Sequence, residues 1–249
     1  MKKNWKKVIG LILMLGLLIS LTACGSTASS SDGKTSASDT EDVQTESETA
    51  AAVAESGQDG ESSGQTSADD DMNGSRILVV FFSRTGEQYT VGVIDKGNTA
   101  IVAEMIADQT GADLFEILPA DDQYPMTYEE LTDVAKQEQN ENARPAYAGE
   151  VPDLSQYDTV FIGAPVWWGD WPMIMYTFFE ENAEALAGKN LVPFSTHEGS
   201  GLSGFDKKLS AACPDSTVLE GLATRGNDCQ NKQDSVRESV NEWIGGLGY

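Results

Sequence analysis

Six consecutive apolar residues, Ile77 to Phe82, followed at once by Ser83-Arg84-Thr85-Gly86, constrain this chain more than any other feature. A short run rich in β-branched and aromatic types reads as a strand buried on both faces. It ends in a loop that offers two hydroxyls and a glycine. After an interruption, Glu87–Gly97, come Asn98 and Thr99, then Ile101, Val102, Met105 and Ile106 at helical spacing. The pattern is strand, hydroxyl-rich loop, helix start. Free N–H groups at a helix start, with hydroxyls beside them, suit a phosphate. The competing reading is a simple cap, with Asn98 or Thr99 satisfying the first amides.

Two later loops bear on that choice. Thr159–Gly163 reads as a second buried strand and stops at a glycine. Ala164-Pro165-Val166-Trp167-Trp168-Gly169-Asp170-Trp171-Pro172 follows, holding three of the five tryptophans. Loops lie on the surface, so the spacing predicts an exposed aromatic platform for a flat ligand or a partner. The alternative is a loop folded over the helix that starts after Pro172. Asn190–Phe194 is another strand, followed by Ser195-Thr196-His197-Glu198-Gly199-Ser200-Gly201 and a helix from about Leu202 to Ala212. Ala112–Leu118 alternates and reads as a strand near an edge. Helices are expected from Thr127 through Glu138 and over Asp234–Ile244, and a fifth strand over Ser216–Glu220.

Strands alternating with helices predict an α/β domain, a doubly wound parallel sheet of five strands with helices on both faces. Ligands of such sheets sit outside the carboxyl ends of the strands. All three special loops follow strands, so they share one edge. A phosphate cradle, an aromatic platform and a glycine-serine loop together describe a site for a flat, phosphorylated cofactor, a description that FMN fits. A dinucleotide or nucleoside-triphosphate fold is disfavoured, because neither GxGxxG nor GxxxxGK[ST] follows the first strand.

The first 24 residues combine four lysines with an apolar run from Val8 to Leu21, which is short for a membrane span and has the flanks of a signal peptide. The run ends in Leu21-Thr22-Ala23-Cys24-Gly25, which resembles the lipobox of bacterial lipoproteins. That resemblance implies cleavage after residue 23, diacylation of Cys24 and a place on the outer face of a membrane. A plain secretory signal cut near Ala23 is the rival. Residues 24–75 are dominated by Ser, Thr, Gly, Ala, Asp and Glu, without aromatic, leucine or isoleucine. Such a segment cannot bury enough surface to fold and is expected to be a tether with about 40 Å of reach.

Residues 76–249 carry 11 basic and 28 acidic residues, a net charge of −17. Nucleic-acid binding is not expected at that charge. The acidity reads either as solubility or as docking to basic partners. Cys213 and Cys229 flank the predicted last strand, which should separate them by roughly 15 Å. A bridge needs Cα atoms within about 7 Å, so two separate thiols are expected.

At its three loops the sequence resembles the flavodoxin-like family over essentially all of residues 76–249. Ser83, Arg84, Thr85 and Gly86 with Asn98 and Thr99 look like that family's phosphate loop. Pro165, Val166, Trp167, Trp168 and Gly169 look like the loop packed against the isoalloxazine ring. Thr196, His197, Gly199, Ser200 and Gly201 resemble the third flavin loop. The resemblance implies bound FMN, with backbone groups around Val166–Gly169 setting the hydrogen bonding of the reactive flavin nitrogen. It implies an oxidoreductase or electron carrier whose partner is a redox protein or a small acceptor such as a quinone. A flavodoxin-like lipoprotein that binds a ligand or partner without redox turnover is the alternative, favoured by the Glu87–Gly97 insertion. His197, the single histidine, reads as a surface loop residue or as a flavin contact able to deliver a proton. One histidine offers no Ser–His–Asp arrangement, and no catalytic side chain and no metal ligands are assigned.

Overall fold

The computed structural model describes residues 76–121 and 124–249, and the expected signal peptide, Cys24 and tether lie outside them. The organising strand is β1, Ile77–Phe81, with all five residues buried. Leu78, Val80 and the following Phe82 face one core, while Ile77, Val79 and Phe81 face a second. The period of two that splits strand side chains between faces thus builds two cores from one run. Each such side chain fully removed from water contributes about 1.5–3 kcal/mol.

The small antiparallel pair β2 (Gly86–Gln88) and β3 (Gly92–Ile94) follows, then helix α1, Asn98–Thr110. Strand β4, Asp113–Glu116, lies on the far side of β1 as an edge strand and is largely exposed. It is shorter than expected, because Leu118–Pro119 (β5) leaves the sheet to pair with Tyr147–Ala148 (β6). Between them runs α2, Tyr128–Glu141, ended by Asn142 in the left-handed region at φ 50°.

Strand β7, Thr159–Pro165, pairs with β1 and with β8, Asn190–His197, all parallel. β7 does not stop at Gly163 as the sequence suggested. A side chain at Gly163 would overlap the Phe194 ring on β8, so the glycine serves close packing within the strand. Helices α3 (Met173–Leu186) and α4 (Phe205–Ala212) follow β7 and β8.

The last strand departs from the expected Ser216–Glu220. It is broken into β9, Thr217–Val218, which pairs with Asn190 and Leu191, and β10, Leu222–Arg225, which pairs with Phe194 to His197. The gap lies beside Pro193, which has no N–H to offer a neighbouring strand. Gly221 passes so close that an added Cβ would stand 2.9 Å from the Pro193 ring. Two helices close the chain, α5 (Gly226–Asn231), not foreseen in the sequence, and α6 (Gln233–Leu247).

The sheet order is β10-β8-β7-β1-β4. Counting the five principal strands in chain order, this is 2-1-3-4-5, the doubly wound order whose switch point lies between β1 and β7. α1 and α6 cover one face and α3 and α4 the other. Cys213 and Cys229 are free and buried in opposite cores, and burial raises both thiols, to about 11 and about 12. No helix among the described residues is long and apolar enough to cross a membrane.

Candidate functional site

The carboxyl ends of β1, β7 and β8 put the three loops side by side. The first loop is completed across the insertion. Gly97, immediately before α1, packs onto Ser83 and Arg84 so closely that a Cβ there would stand 2.7 Å from the Arg84 carbonyl oxygen and nearer still to Ser83 Oγ. The residues between fold out as the β2–β3 hairpin. The insertion therefore leaves the loop intact, and Asn98 and Thr99 return beside Ser83.

Within this loop the cap is made by Ser83, not by Asn98 or Thr99. Ser83 Oγ accepts from the Ala100 amide at 3.0 Å and keeps its own proton to donate. Thr99 and Thr196 share a buried hydroxyl bond of 2.8 Å, which ties the first loop to the third. Asn98 Oδ1 accepts from Gln230 Nε2 on α5 at 2.8 Å. Thr85 is exposed, and Gly86 has φ 84° with Met126 packed against it. Arg84 is tied to the segment before α2. Its guanidinium donates to the Tyr124 carbonyl at 2.6 Å and lies over the Tyr124 ring.

The second loop is a tight turn. Trp167 and Asp170 exchange two backbone bonds of 2.9 Å around Trp168 and Gly169, at φ 51° and 73°. Positive φ at both central residues is the signature of a type I′ turn. The three tryptophans do not form one platform. Trp171 is 1% exposed, stacked on Phe205 at 3.6 Å and edge-on to Phe179. Trp167 is half-buried, edge-on to Phe82 and Tyr124. Only Trp168 is exposed, at 53%, and its Nε1 donates to the Thr132 carbonyl of α2 at 2.8 Å.

In the third loop His197 Nδ1 accepts from the Gly199 amide at 2.8 Å. Burial lowers the imidazole pKa, Glu198 opposes that shift, and Arg225 adds to it. The ring is therefore neutral near pH 7, with its proton on Nε2. The Gly201 carbonyl takes the Ser195 hydroxyl at 3.2 Å, and the Ser200 carbonyl takes Ser203 Oγ at 3.3 Å. Gly199, Ser200 and Gly201 thus shape the loop through their backbone.

A shallow cleft of about 90 Å³ runs between these elements. Of the expected residues it gathers Asn98, Pro165, Val166, Trp167, Thr196 and His197, while Trp168 stands outside it against α2 and the Gly169 carbonyl accepts from Lys208 of α4. Sequence reasoning missed Gln88, Tyr89 and Val91 from the hairpin, Tyr128 from α2, and Gly226, and it gave Glu198, a member of the third loop, no role. Tyr89 stacks on Tyr128 at 5.4 Å between centroids. Glu198 accepts from the Asn227 amide at 2.6 Å and pairs with Arg225 at 3.5 Å. A Cβ at Gly226 would come within 3.0 Å of Glu198 Oε1 and closer to Asn98 Nδ2. The single aromatic of the insertion was the available signal for Tyr89. Gly226 had none, being 128 residues from Asn98.

The residues present fit a phosphate-bearing flat ligand. The cradle closed by Gly97 would be filled by a Cβ, Ser83 retains a donor, and the first amides of α1 have no intrahelical partner. Among the described residues no cluster of His, Cys, Asp and Glu could hold a metal.

The flavodoxin family model matches residues 76–244. A protein from Bacteroides uniformis ATCC 8492 assigned as a flavoprotein is 29% identical, with 69% of this chain and 99% of that one covered, at a TM-score of 0.54. Another so assigned, from Bacteroides eggerthii DSM 20697, is 31% identical over 66% of this chain and 98% of that one, at 0.51. A flavoprotein from Lactobacillus acidophilus NCFM, solved in complex with FMN, is 19% identical over 65% and 99%, at 0.48. Among curated proteins none matches this chain.

Proposed function

The chain belongs to the flavodoxin family, and from that premise we propose that residues 76–249 bind FMN and exchange electrons with a redox protein or a small acceptor such as a quinone. The observation that carries this reading is the closure of Gly97 onto Ser83 and Arg84. It returns Asn98 and Thr99 to Ser83 across an eleven-residue interruption, at the edge where Trp167 and His197 line a cleft, which supports a phosphate loop there.

FMN, when bound, supplies the electron chemistry, and the protein sets its binding and potential. Ser83 Oγ, Thr85 Oγ1 and the first amides of α1 would hold the phosphate. Their donors, aided by the positive end of the helix, favour a dianion. Trp167 and the Thr196–His197 segment would bound the ring. The neutral His197 offers an Nε2 proton donor there, and the Gly199 amide on Nδ1 fixes that tautomer. The net −17 charge makes added negative charge on the ring less favourable and so lowers its potential. The insertion lines this same cleft through Gln88, Tyr89 and Val91, which supports a closed ring site over a separate binding module.

Location is part of the proposal. The lysine-flanked apolar run and Cys24 support a lipid anchor on the outer face of a membrane, joined to the domain by the acidic tether. Cys24→Ala should release the protein from membranes or block its maturation. A variant still processed and equally membrane-bound contradicts the anchor. For the cofactor, the test is the absorption spectrum of the purified protein before and after incubation with FMN. A flavin spectrum that survives gel filtration is expected, and a protein that stays colourless rejects the reading.

A further inference from the structure

A second cleft, of about 170 Å³, is also walled by Trp167. Its walls are Leu131, Thr132 and Ala135 on α2 and Val166, Trp167 and Trp168 on the second loop. It shares Tyr128, Val166 and Trp167 with the cofactor cleft and none of the phosphate-loop or third-loop residues. We propose that this cleft binds a neutral, flat aromatic compound of about two fused rings. The proposal deepens the small-acceptor reading and rests on it for its redox meaning, but not for the binding itself.

Three observations lead to that ligand class. No ionised group lines the cleft, and the groups that could hold a phosphate are absent from it. An anion would therefore lose its hydration without a partner, whereas an uncharged ring system gains by burial among aromatic and aliphatic walls. The polar groups that Thr132 and Trp168 bring to the wall are already committed. Thr132 gives its carbonyl to Trp168 Nε1 and its hydroxyl to the Glu129 carbonyl at 2.8 Å. No strand edge is present to register a peptide, because one wall is a helix and the other a closed turn. The Tyr128 hydroxyl, at the junction of the two clefts, remains to donate to an oxygen on the ligand.

The third observation is that Trp168 is held in place against a cost. Its φ of 51° is a conformation that disfavours a bulky residue by about 1–2 kcal/mol. The indole is nonetheless fixed by the Thr132 bond and by the Lys136 ammonium 5.0 Å from its ring, while Gln139 Nε2 holds the backbone by donating to the Trp168 main-chain carbonyl at 3.4 Å. A strained residue that is over-determined by its neighbours marks a constrained site. Here the constraint keeps an exposed indole over the cleft as its outer wall.

The test uses FMN-free protein and menadione as the probe, followed by two-dimensional NMR. Saturable shifts are expected at the Trp168 indole N–H and at the amides of Leu131 to Ala135. Thr132→Phe, which fills the cleft from a half-buried helix position, should weaken menadione at least tenfold while FMN affinity stays within twofold. Ala135→Leu should do the same if Thr132→Phe folds poorly. The absence of saturable shifts on α2 overturns the proposal. So do shifts confined to Thr196 and His197, or self-association through this face in place of menadione binding. FMN titrated into the same sample separates the outcomes. Loss of FMN binding with menadione still on α2 rejects the redox reading and leaves this cleft standing.

Discussion

The first and second loops leave the same sheet edge but are held by opposite means. The Ser83–Gly86 loop is polar and open. It is completed from across an insertion, and its closure rests on the single missing side chain of Gly97. The Ala164–Pro172 loop is fixed by its own turn and by the elements packed around it. A two-residue turn closes it, Trp171 anchors it in a core, and Lys208 Nζ clamps it by donating to the Gly169 carbonyl at 2.6 Å and pairing with Asp170 at 3.1 Å. The first loop therefore keeps donors for a ligand, while the second uses its groups to hold itself rigid. Preorganisation of one and availability of the other are what a tightly held phosphorylated ring requires.

Substitutions can break that contrast. The largest effect is expected at the anchor. Trp171→Ala removes a buried indole stacked on Phe205 and should cost about 3–5 kcal/mol of stability, read by urea unfolding. Whatever remains folded should still prefer FMN to riboflavin. Gly97→Ala should do the reverse. Its Cβ meets Ser83 and Arg84, so FMN should weaken about 100-fold, equivalent to ~2.7 kcal/mol, with riboflavin much less affected. Equal losses for both ligands would mean that Gly97 shapes the whole edge and not the phosphate loop. Thr85→Ala, a smaller cut in the same loop, should weaken FMN about tenfold in calorimetry.

The third loop gives the smallest and most local effect. The folded state holds the His197 pKa below its ordinary value of 6.5, so the unfolded chain binds a proton that the folded one resists. The loop's stability is thus complete above that value and falls as pH drops below it. As the only histidine, His197 can be titrated by proton NMR. A midpoint below 6.5 is expected, with the Gly199 amide shifting in step. A midpoint at or above 6.5 would remove the neutral donor from the cleft.

The sequence displayed what is local. Residues 77–82, the three loops and the alternation of elements were readable because each is a short run with its own period or turn chemistry. Non-local partners were not. Trp171 reads as exposed because Phe205, which covers it, lies 34 residues on. The fifth strand breaks because of a proline on the neighbouring strand, invisible from Ser216–Glu220 itself. The hairpin of Glu87–Gly97 looked like a disruption of the phosphate loop, and only Gly97's contact with Ser83 shows that it loops out. Arg84, expected on the phosphate, is bound to Tyr124, a residue no spacing rule connects with it.

The central claim is that a phosphate is recognised at the junction of Ser83, Thr85 and the start of α1. The dissociation constants of FMN and riboflavin, measured on the same wild-type protein, test it most directly, since the two ligands differ only in that group. Binding of FMN about 100-fold tighter than riboflavin, a gap of ~2.7 kcal/mol, is the predicted result, and equal affinities would contradict it.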